Sequence, residues 1–455
     1  MIHVAGTKGK GSTSSFISYI LAEYLPPAPT SSSTLMSKIN KIGLYTSPHL
    51  RFARERIQIN NQPLTETQFA HYFFEIWDRL EASALKAGQD PKSPQTKPMY
   101  FRYLTLMAFY AFLSEGVDAA VIECGIGGEY DSTNIIPQPV VSAITSLGID
   151  HIGMLGSTVE EIAWHKGGII KPGAKAITAS QPSGALDVLR KRAAAHSVEL
   201  IVAESHSDLT KNRPVKLGLA GDFQYMNAAV AVAAAGEFLR VQEVDGFPKD
   251  VLREPLPEKF KLGLESTKLG GRCETRIEKY VSWYIDGGHT LESIKVAGHW
   301  FASQVQANDD VSSAEPSPRV LIFNQQTRDS NALARSLHRT LIEALKNGKP
   351  FTHAIFCTNV TYKDSGYRPD LVSVNTNASD IAQLSVQTGL AETWNTIDPD
   401  TRVLVKGTIE EAVEYVRELA KTASRDQINP VKVLVTGSLH LVGGFLDVIE
   451  TKPDL

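Results

Sequence analysis

A four-residue apolar run, Ile2-His3-Val4-Ala5, leads directly into Gly6-Thr7-Lys8-Gly9-Lys10-Gly11-Ser12-Thr13, and a helix-like pattern follows from Lys10 to Tyr24. Few folds accommodate such a passage. A buried strand that breaks into a glycine-rich turn and then a helix opens an α/β unit. Its glycines let backbone N–H groups turn inward toward an anion, and the helix N-terminus adds partial positive charge. Lys10 can reach the β- and γ-phosphates of a nucleotide, and the Ser12 hydroxyl can meet a magnesium ion. The spacing is not the strict G-x-x-x-x-G-K-[ST], because Gly11 separates Lys10 from Ser12. Glycine-rich strand-to-helix turns also occur for packing alone. Two Gly-Lys pairs ending in Ser-Thr favour a phosphate loop over that bland alternative.

The rest of the chain alternates strand-like and helix-like runs, the α/β signature. Strands are expected at Ile2–Ala5, Ile42–Tyr45, Ala119–Glu123, Val140–Thr145 and Lys175–Thr178, then at Val281–Ile285, Val320–Phe323, Ala354–Cys357, Val403–Lys406 and Lys432–Thr436. Helices are expected near Thr65–Lys86, Arg102–Glu115, Val159–Lys166, Ala185–His196 and Phe223–Leu239, and later at Leu291–Gln304, Ala332–Lys346 and Ile409–Lys421. Three polar stretches rich in proline and serine, Pro26–Lys38, Gly88–Pro98 and Ala307–Pro318, read as surface insertions. The segment Gly263–Arg272 reads as a linker. It divides the chain into an ATP-binding phosphate-loop domain over 1–268, a short link at 269–273, and a smaller Rossmann-like domain over 274–455.

At 455 residues the chain is long enough for two or three domains and a cleft between them. Its 46 basic and 50 acidic residues leave a net charge of −4, which removes the electrostatic case for nucleic acid. The longest early apolar run, Phe16 to Leu25, is about half the roughly 20 residues a membrane helix needs. Cys124, Cys273 and Cys357 are too few and too scattered for a disulfide framework or a zinc site, so a reducing compartment fits best. Because the chain opens inside a strand, a further N-terminal piece, and any transit peptide with it, is expected to precede it.

Other residue groups follow strands, where α/β sheets place ligand-binding side chains. Glu123 closes one strand before Cys124-Gly125-Ile126-Gly127-Gly128 and could hold magnesium, or merely cap a helix. Ser47, in Tyr45-Thr46-Ser47-Pro48-His49, could be a metal or phosphate ligand. His151, in Asp150-His151, could be a site histidine or one satisfied in the core. Lys166 closes a helix, where its charge could simply complement the dipole. In the second half, Asp286 of Asp286-Gly287-Gly288-His289 could accept from a ribose hydroxyl or cap a helix. His289 could touch a carboxylate or phosphate. Arg272 could reach nucleotide phosphates or lie solvated on the surface. Ser438 could cap a helix or bind a carboxylate.

Taken in order, these motifs resemble the folylpolyglutamate synthase and dihydrofolate synthase family of the Mur-ligase superfamily. The matching pieces are the stretch from His3 to Ser12, Tyr45 to Leu50, Arg54 to Ile57, Glu123 to Asn134, Ser146 to Gly156, Ile162 to Gly173, and Ile285 to Thr290. The Ile162–Lys166 and Phe74–Leu80 stretches are similar to the eukaryotic enzymes, and the insertions to fungal ones. The resemblance implies that Thr7, Lys8, Gly9, Lys10, Gly11 and Ser12 bind ATP phosphates, with Arg272 and Asp286 binding ATP from the C-terminal domain. It implies magnesium at Ser47, Glu123 and His151, carbamylation of Lys166, a monovalent cation such as K+, and incoming glutamate near His289 and Ser438. Lys10, Lys166 and His289 would be the catalytic residues.

The implied activity is ATP-dependent addition of L-glutamate to the γ-carboxyl of a folate. The enzyme would act as a monomer in the cytoplasm or the mitochondrion, on small molecules only. Dihydrofolate synthase is the alternative enzyme, and a truncated nucleotide-binding isoform without activity the alternative from another class. The chain departs from the family pattern in four places: the missing segment before His3, Glu129 where many members carry a basic residue, Gly168 for alanine, and Asp222-Phe223-Gln224 for a His-Gln helix start.

Overall fold

Strand β1 (Ile2–Ala5) is wholly buried, and its residues pair in parallel with β5 (Ala119–Glu123) on one side and β6 (Val141–Ile144) on the other. The structure is a computed structural model that describes residues 1–26, 39–204, 206–210, 215–244, 247, 250–308, 317–326, 328–346, 349–363, 384–423 and 430–451. Contacts within the chain divide it into two units, one of residues 1–49 and 53–269, the other of 50–52 and 270–455.

In the first unit, β2 (Ile42–Tyr45), β3 (Ile57–Ile59), β4 (Gln62–Pro63), β7 (Lys175–Thr178) and β8 (Leu200–Val202) complete a sheet in the order β4-β3-β2-β5-β1-β6-β7-β8. The run from β2 to β8 through β1 is parallel, while β3 and β4 are antiparallel additions at one edge. Helix α1 (Lys10–Ala22) follows β1. Helices α2 (Glu66–Lys86) and α3 (Tyr100–Glu115) precede β5. After β6 come α4 (Ile152–Leu155), α5 (Val159–Gly167), α6 (Ser183–Ala195), α7 (Ser207–Thr210), α8 (Gln224–Val241) and α9 (Glu258–Ser266).

Helix α1 packs against α8 and α9 over the apolar face of the central strands. The small buried side chains from Ala228 to Ala235 allow α8 to approach closely. The stretch read as a linker from Gly263 is helical through Ser266. Gly263 is buried in α9, where a Cβ would stand 2.6 Å from the Ile20 Cα, so this glycine serves helix–helix contact rather than a hinge.

The second unit carries β9 (Glu274–Ile277), β10 (Val281–Asp286), β11 (Arg319–Phe323), β12 (His353–Cys357), β13 (Arg402–Lys406) and β14 (Val431–Thr436) in the order β13-β12-β11-β14-β10-β9. Only β9 runs antiparallel among these. Helices α10 (Leu291–Asn308), α11 (Ser330–Leu345), α12 (Ser385–Ile397) and α13 (Ile409–Ala423) lie between the strands, and α14 (Leu439–Thr451) follows the last one. One core layer sets Trp283 of β10 edge-on against Phe445 of α14, at 5.0 Å between rings.

Of the stretches read as insertions, residues 27–38 and 309–316 lie outside the described residues. Gly88–Pro98 is ordered around a short 3-10 turn at Pro94–Thr96, and Lys97 covers the Trp77 ring at 4.5 Å.

Candidate active site

The phosphate loop lies where β1 ends, and the segment after β6 braces it. Ser146 O accepts from the amides of Thr7 (2.9 Å) and Lys8 (3.1 Å). The Thr145 hydroxyl donates to Lys8 O at 2.6 Å, and Thr7 Oγ1 donates to Gly148 O at 3.1 Å. The glycines are required by space as well as by backbone angle. A Cβ on Gly6 would fall 1.8 Å from Thr145 Oγ1, and one on Gly9, whose φ is 86°, 2.1 Å from Asn227 Oδ1. The Thr7 and Lys8 amides are directed at Ser146, and the first turn of α1 presents its own amides at the end of the loop. That turn has no side-chain cap and no acidic residue.

Two lysines converge on one carbonyl. Gly6 O accepts from Lys10 Nζ at 3.1 Å and from Lys166 Nζ at 2.8 Å. Lys166 sits near the end of α5, whose start is fixed by a reciprocal cap between Thr158 and Glu161. It is only 3% exposed. Burial, and then the like charge of Lys10, push its amine down from the ordinary 10.5 to about 7.

Glu123, buried at the end of β5, accepts from the Ser47 amide at 3.0 Å, so these two predicted metal residues are brought together. The Glu123 carboxylate also borders the loop, since a Cβ on Gly11 would stand 3.7 Å from its Oε2. His151 is exposed and heads α4 with φ 52°, its amide donating to Asp150 Oδ1 at 2.9 Å. Asp150 in turn pairs with Lys8 at 3.1 Å. Burial would raise its pKa, but the Lys8 charge and hydrogen bond more than offset this and hold it well below the usual carboxylate range.

No group of three or more His, Cys, Asp and Glu side chains among the described residues is arranged to hold a metal. The Glu123 carboxylate and the hydroxyls of Ser47 and Ser12 are nevertheless the oxygen donors magnesium takes, and they fit that ion. An imidazole is a poor donor for it.

In the second unit, Asp286 ends β10 and is buried. It accepts from the amide of Gly288 (2.8 Å), in its own turn, and from that of Cys273 (3.0 Å), in the segment before β9, so it ties these two stretches together. Burial raises its pKa, opposed by the Arg272 charge. Arg272 Nη1 donates to Gly271 O at 3.2 Å and lies 2.9 Å from where a Cβ on Gly287 would stand. The His289 ring Nδ1 is 3.1 Å from Gly287 O, and its amide donates to Ser293 Oγ at 3.0 Å. Ser438 Oγ accepts from the Leu441 amide at 3.1 Å and caps α14.

Sequence reasoning missed Thr145, Ser146 and Asn227 as supports of the loop. Nothing in their residue types marks them, because their work comes from strand adjacency and helix approach.

A doubly wound sheet with a phosphate loop after its central strand, carried with a second α/β unit, is the Mur-ligase-like two-domain fold. Solved structures agree. A Mycobacterium tuberculosis folylpolyglutamate synthase complexed with ADP and AMPPCP superposes with a TM-score of 0.71 at 22% identity, covering 100% of this chain and 91% of that one. A Thermotoga maritima folylpolyglutamate synthase gives 0.68 at 23%, covering 100% and 89%. No family model matches the chain. Among curated proteins, it is 44% identical over 451 residues to a folylpolyglutamate synthase of Neurospora crassa, covering 99% of this chain and 81% of the relative. It is 43% identical over 454 residues to one of Saccharomyces cerevisiae, covering 99% and 77%. The chain belongs to the folylpolyglutamate synthase family.

Proposed function

We propose that the chain catalyses ATP-dependent addition of L-glutamate to the γ-carboxyl of a folate, releasing ADP and phosphate. The observation that carries this reading is the 44% identity, over 99% of the chain, to a folylpolyglutamate synthase in a chain whose phosphate loop gathers Lys10, Lys166 and Glu123 at the carboxyl end of β1.

A carboxylate is a poor acyl donor because its leaving group would be oxide. Attack of that carboxylate oxygen on the γ-phosphorus of ATP breaks the bond to the ADP oxygen and makes an acyl phosphate. The neutral amine of glutamate then adds to the acyl carbon, phosphate departs, and the amine proton is lost as the amide forms. Catalysis of this kind rests on positioning and charge neutralisation. The first-turn amides of α1 and the Lys10 ammonium would hold the phosphates. Magnesium, held by Glu123 with Ser47 and Ser12, would neutralise phosphate charge.

Lys166, with an amine near neutrality, is suited to take up CO2 as a carbamate and so present an anion beside the loop. His151 as a magnesium ligand and a K+ site are carried over from the family likeness alone, whereas nucleotide contacts by Arg272 and Asp286 and glutamate contacts by His289 and Ser438 join that likeness to the places of these residues at strand ends and turns. The division at 269–273, read from the glycine-bearing segment Gly263–Arg272, would separate an ATPase domain from a glutamate-ligase domain. We read the enzyme as a monomer of a reducing compartment, cytoplasmic or mitochondrial. The three buried free thiols fit such a compartment, and among the described residues no helix is long and apolar enough to cross a membrane.

The test is incorporation of labelled glutamate into tetrahydrofolate with stoichiometric ADP release, run beside dihydropteroate as acceptor. Incorporation into tetrahydrofolate is expected. Use of dihydropteroate alone would assign the alternative enzyme, and ATP binding without glutamate-dependent ADP release would reject the ligase.

A further inference from the structure

We propose that Arg56 binds the α-carboxylate of the acceptor's terminal glutamyl residue, and so presents only the γ-carboxyl to the nucleotide. The inference deepens the ligase reading above and rests on it for the identity of the acceptor.

The stretch Arg54–Ile57 has no part in the site described so far. Arg56 ends a 3-10 turn (Ala53–Arg56) that leads into β3, and it is only 8% exposed. Its backbone lies beside the residues suited to magnesium. Arg56 O accepts from the Thr46 amide at 3.0 Å, and the next amide, that of Ser47, donates to Glu123 Oε2. Arg56 Nε can only donate, so His49 Nδ1 accepts from it at 2.9 Å. The guanidinium lies over the Tyr100 ring, 5.4 Å from its centre. Phe101 stacks on Tyr45 at 6.0 Å, and a Cβ on Gly125 would stand 2.5 Å from its Cζ. The start of α3, and Tyr100 with it, is thereby fixed at the carboxyl ends of β2 and β5.

Charge marks this arginine out. A cation so deeply set is costly unless it is paired. Arg417 shows the usual solution, with Nε and Nη2 donating to the two oxygens of Glu278 at 3.1 and 2.6 Å. Among the described residues Arg56 has no carboxylate partner. Its Nη1 and Nη2 have no acceptor there either, yet neither is sealed off from solvent.

Position names the anion. Along the carboxyl edge of the sheet, the order β2-β5-β1 sets Ser47 first, then Glu123, then the phosphate loop. The β6 side of that loop is bonded to Thr145, Ser146 and Gly148, so the acceptor approaches from the β2 side, past Arg56. A folate ends in a glutamyl residue with two carboxylates. One reacts, and unless the other is held the two compete for the same phosphate. The planar guanidinium offers parallel donors to a carboxylate. With the α-carboxylate held there, the γ-carboxyl is the one left to reach past Glu123. Dihydropteroate has a single carboxylate, the reacting one, and nothing for Arg56 to hold.

The test compares two acceptors, tetrahydrofolate and its α-carboxamide, in which the γ-carboxyl is unaltered. Glutamate addition to each is measured with the unaltered enzyme, Arg56→Met and Arg56→Lys, with KM for ATP and thermal midpoints recorded. For the unaltered enzyme, kcat/KM is expected to be about thirtyfold or more lower on the amide. Arg56→Met should lose a similar factor on tetrahydrofolate, largely through KM, and less than about threefold on the amide, where the group it would hold is already gone. KM for ATP should stay within about twofold. Arg56→Lys, which keeps the charge and loses the fork, should fall between.

Equal kcat/KM on the two acceptors with the unaltered enzyme would overturn the proposal, whatever the variants do. So would an Arg56→Met loss of the same size on both acceptors, which is what a purely structural arginine gives. If the unaltered enzyme adds glutamate to neither acceptor, it is the ligase reading that fails. Calorimetric binding of the two compounds to the unaltered chain then decides on Arg56. Tighter binding of tetrahydrofolate, with the difference lost in Arg56→Met, would support the contact, and equal dissociation constants would overturn it.

Discussion

Lys166 offers the sharpest prediction, because its environment changes what its amine can do. At pH 7 an ordinary lysine is neutral in about one molecule in 3,000, whereas an amine titrating near 7 is neutral in roughly half. Only the neutral form adds CO2, so burial beside Lys10 raises the reactive fraction at neutral pH about a thousandfold. Incubation with 13C-bicarbonate from pH 6 to 9.5, followed by NMR, should show a carbamate carbon that is absent from Lys166→Arg and forms with a midpoint near 7. Lys10→Ala removes the like charge and should move that midpoint upward.

The same shift fixes a sign for stability. Between about 7 and 10.5 the unfolded chain binds a proton that the folded one refuses, so stability rises with pH across that window. Below it the full penalty stands, with a ceiling of roughly 5 kcal/mol. Above it none remains. Lys166→Met should flatten this slope in urea unfolding carried out in CO2-free buffer. A carbamate midpoint above pH 9, or an unchanged slope in Lys166→Met, would refute the reasoning.

Lys10→Ala should abolish ATP-dependent glutamate addition with little change in thermal midpoint, and near-normal turnover would remove the phosphate-loop argument. Gly9→Ala forces a side chain into φ 86° and within 2.1 Å of Asn227 Oδ1. It should lose about 2–4 kcal/mol of stability and weaken nucleotide affinity in calorimetry. Glu123→Gln keeps an acceptor for the Ser47 amide but removes the charge. It should raise the magnesium concentration needed for half-maximal rate several-fold while leaving the fold intact by circular dichroism.

Much of the architecture was legible because buried parallel strands are short apolar runs. Ile2–Ala5, Ile42–Tyr45, Ala119–Glu123 and Lys175–Thr178 lie where apolar runs placed them. What escaped was marginal in pattern or built by contact. The antiparallel edges Ile57–Ile59, Gln62–Pro63 and Glu274–Ile277 are too short or too polar to show a period. Helix α9 was hidden by Gly263, which looks like a breaker until Ile20 is seen against it. Likewise Asp286 and Ser438 stand at strand ends as expected, yet Asp286 accepts from the Gly288 and Cys273 amides and Ser438 caps α14, local roles that residue type alone could not separate from ligand binding.

Local order along the chain was enough to determine the α/β class, the phosphate loop and the family likeness. Each depends on neighbours within a few residues, where spacing dictates which backbone groups point inward. Tertiary structure alone decided that Lys10 and Lys166 share the Gly6 carbonyl, and that Thr145 and Asn227 make glycine obligatory at positions 6 and 9. Those facts join residues up to 218 positions apart in sequence, and only a folded sheet brings such groups within bonding distance.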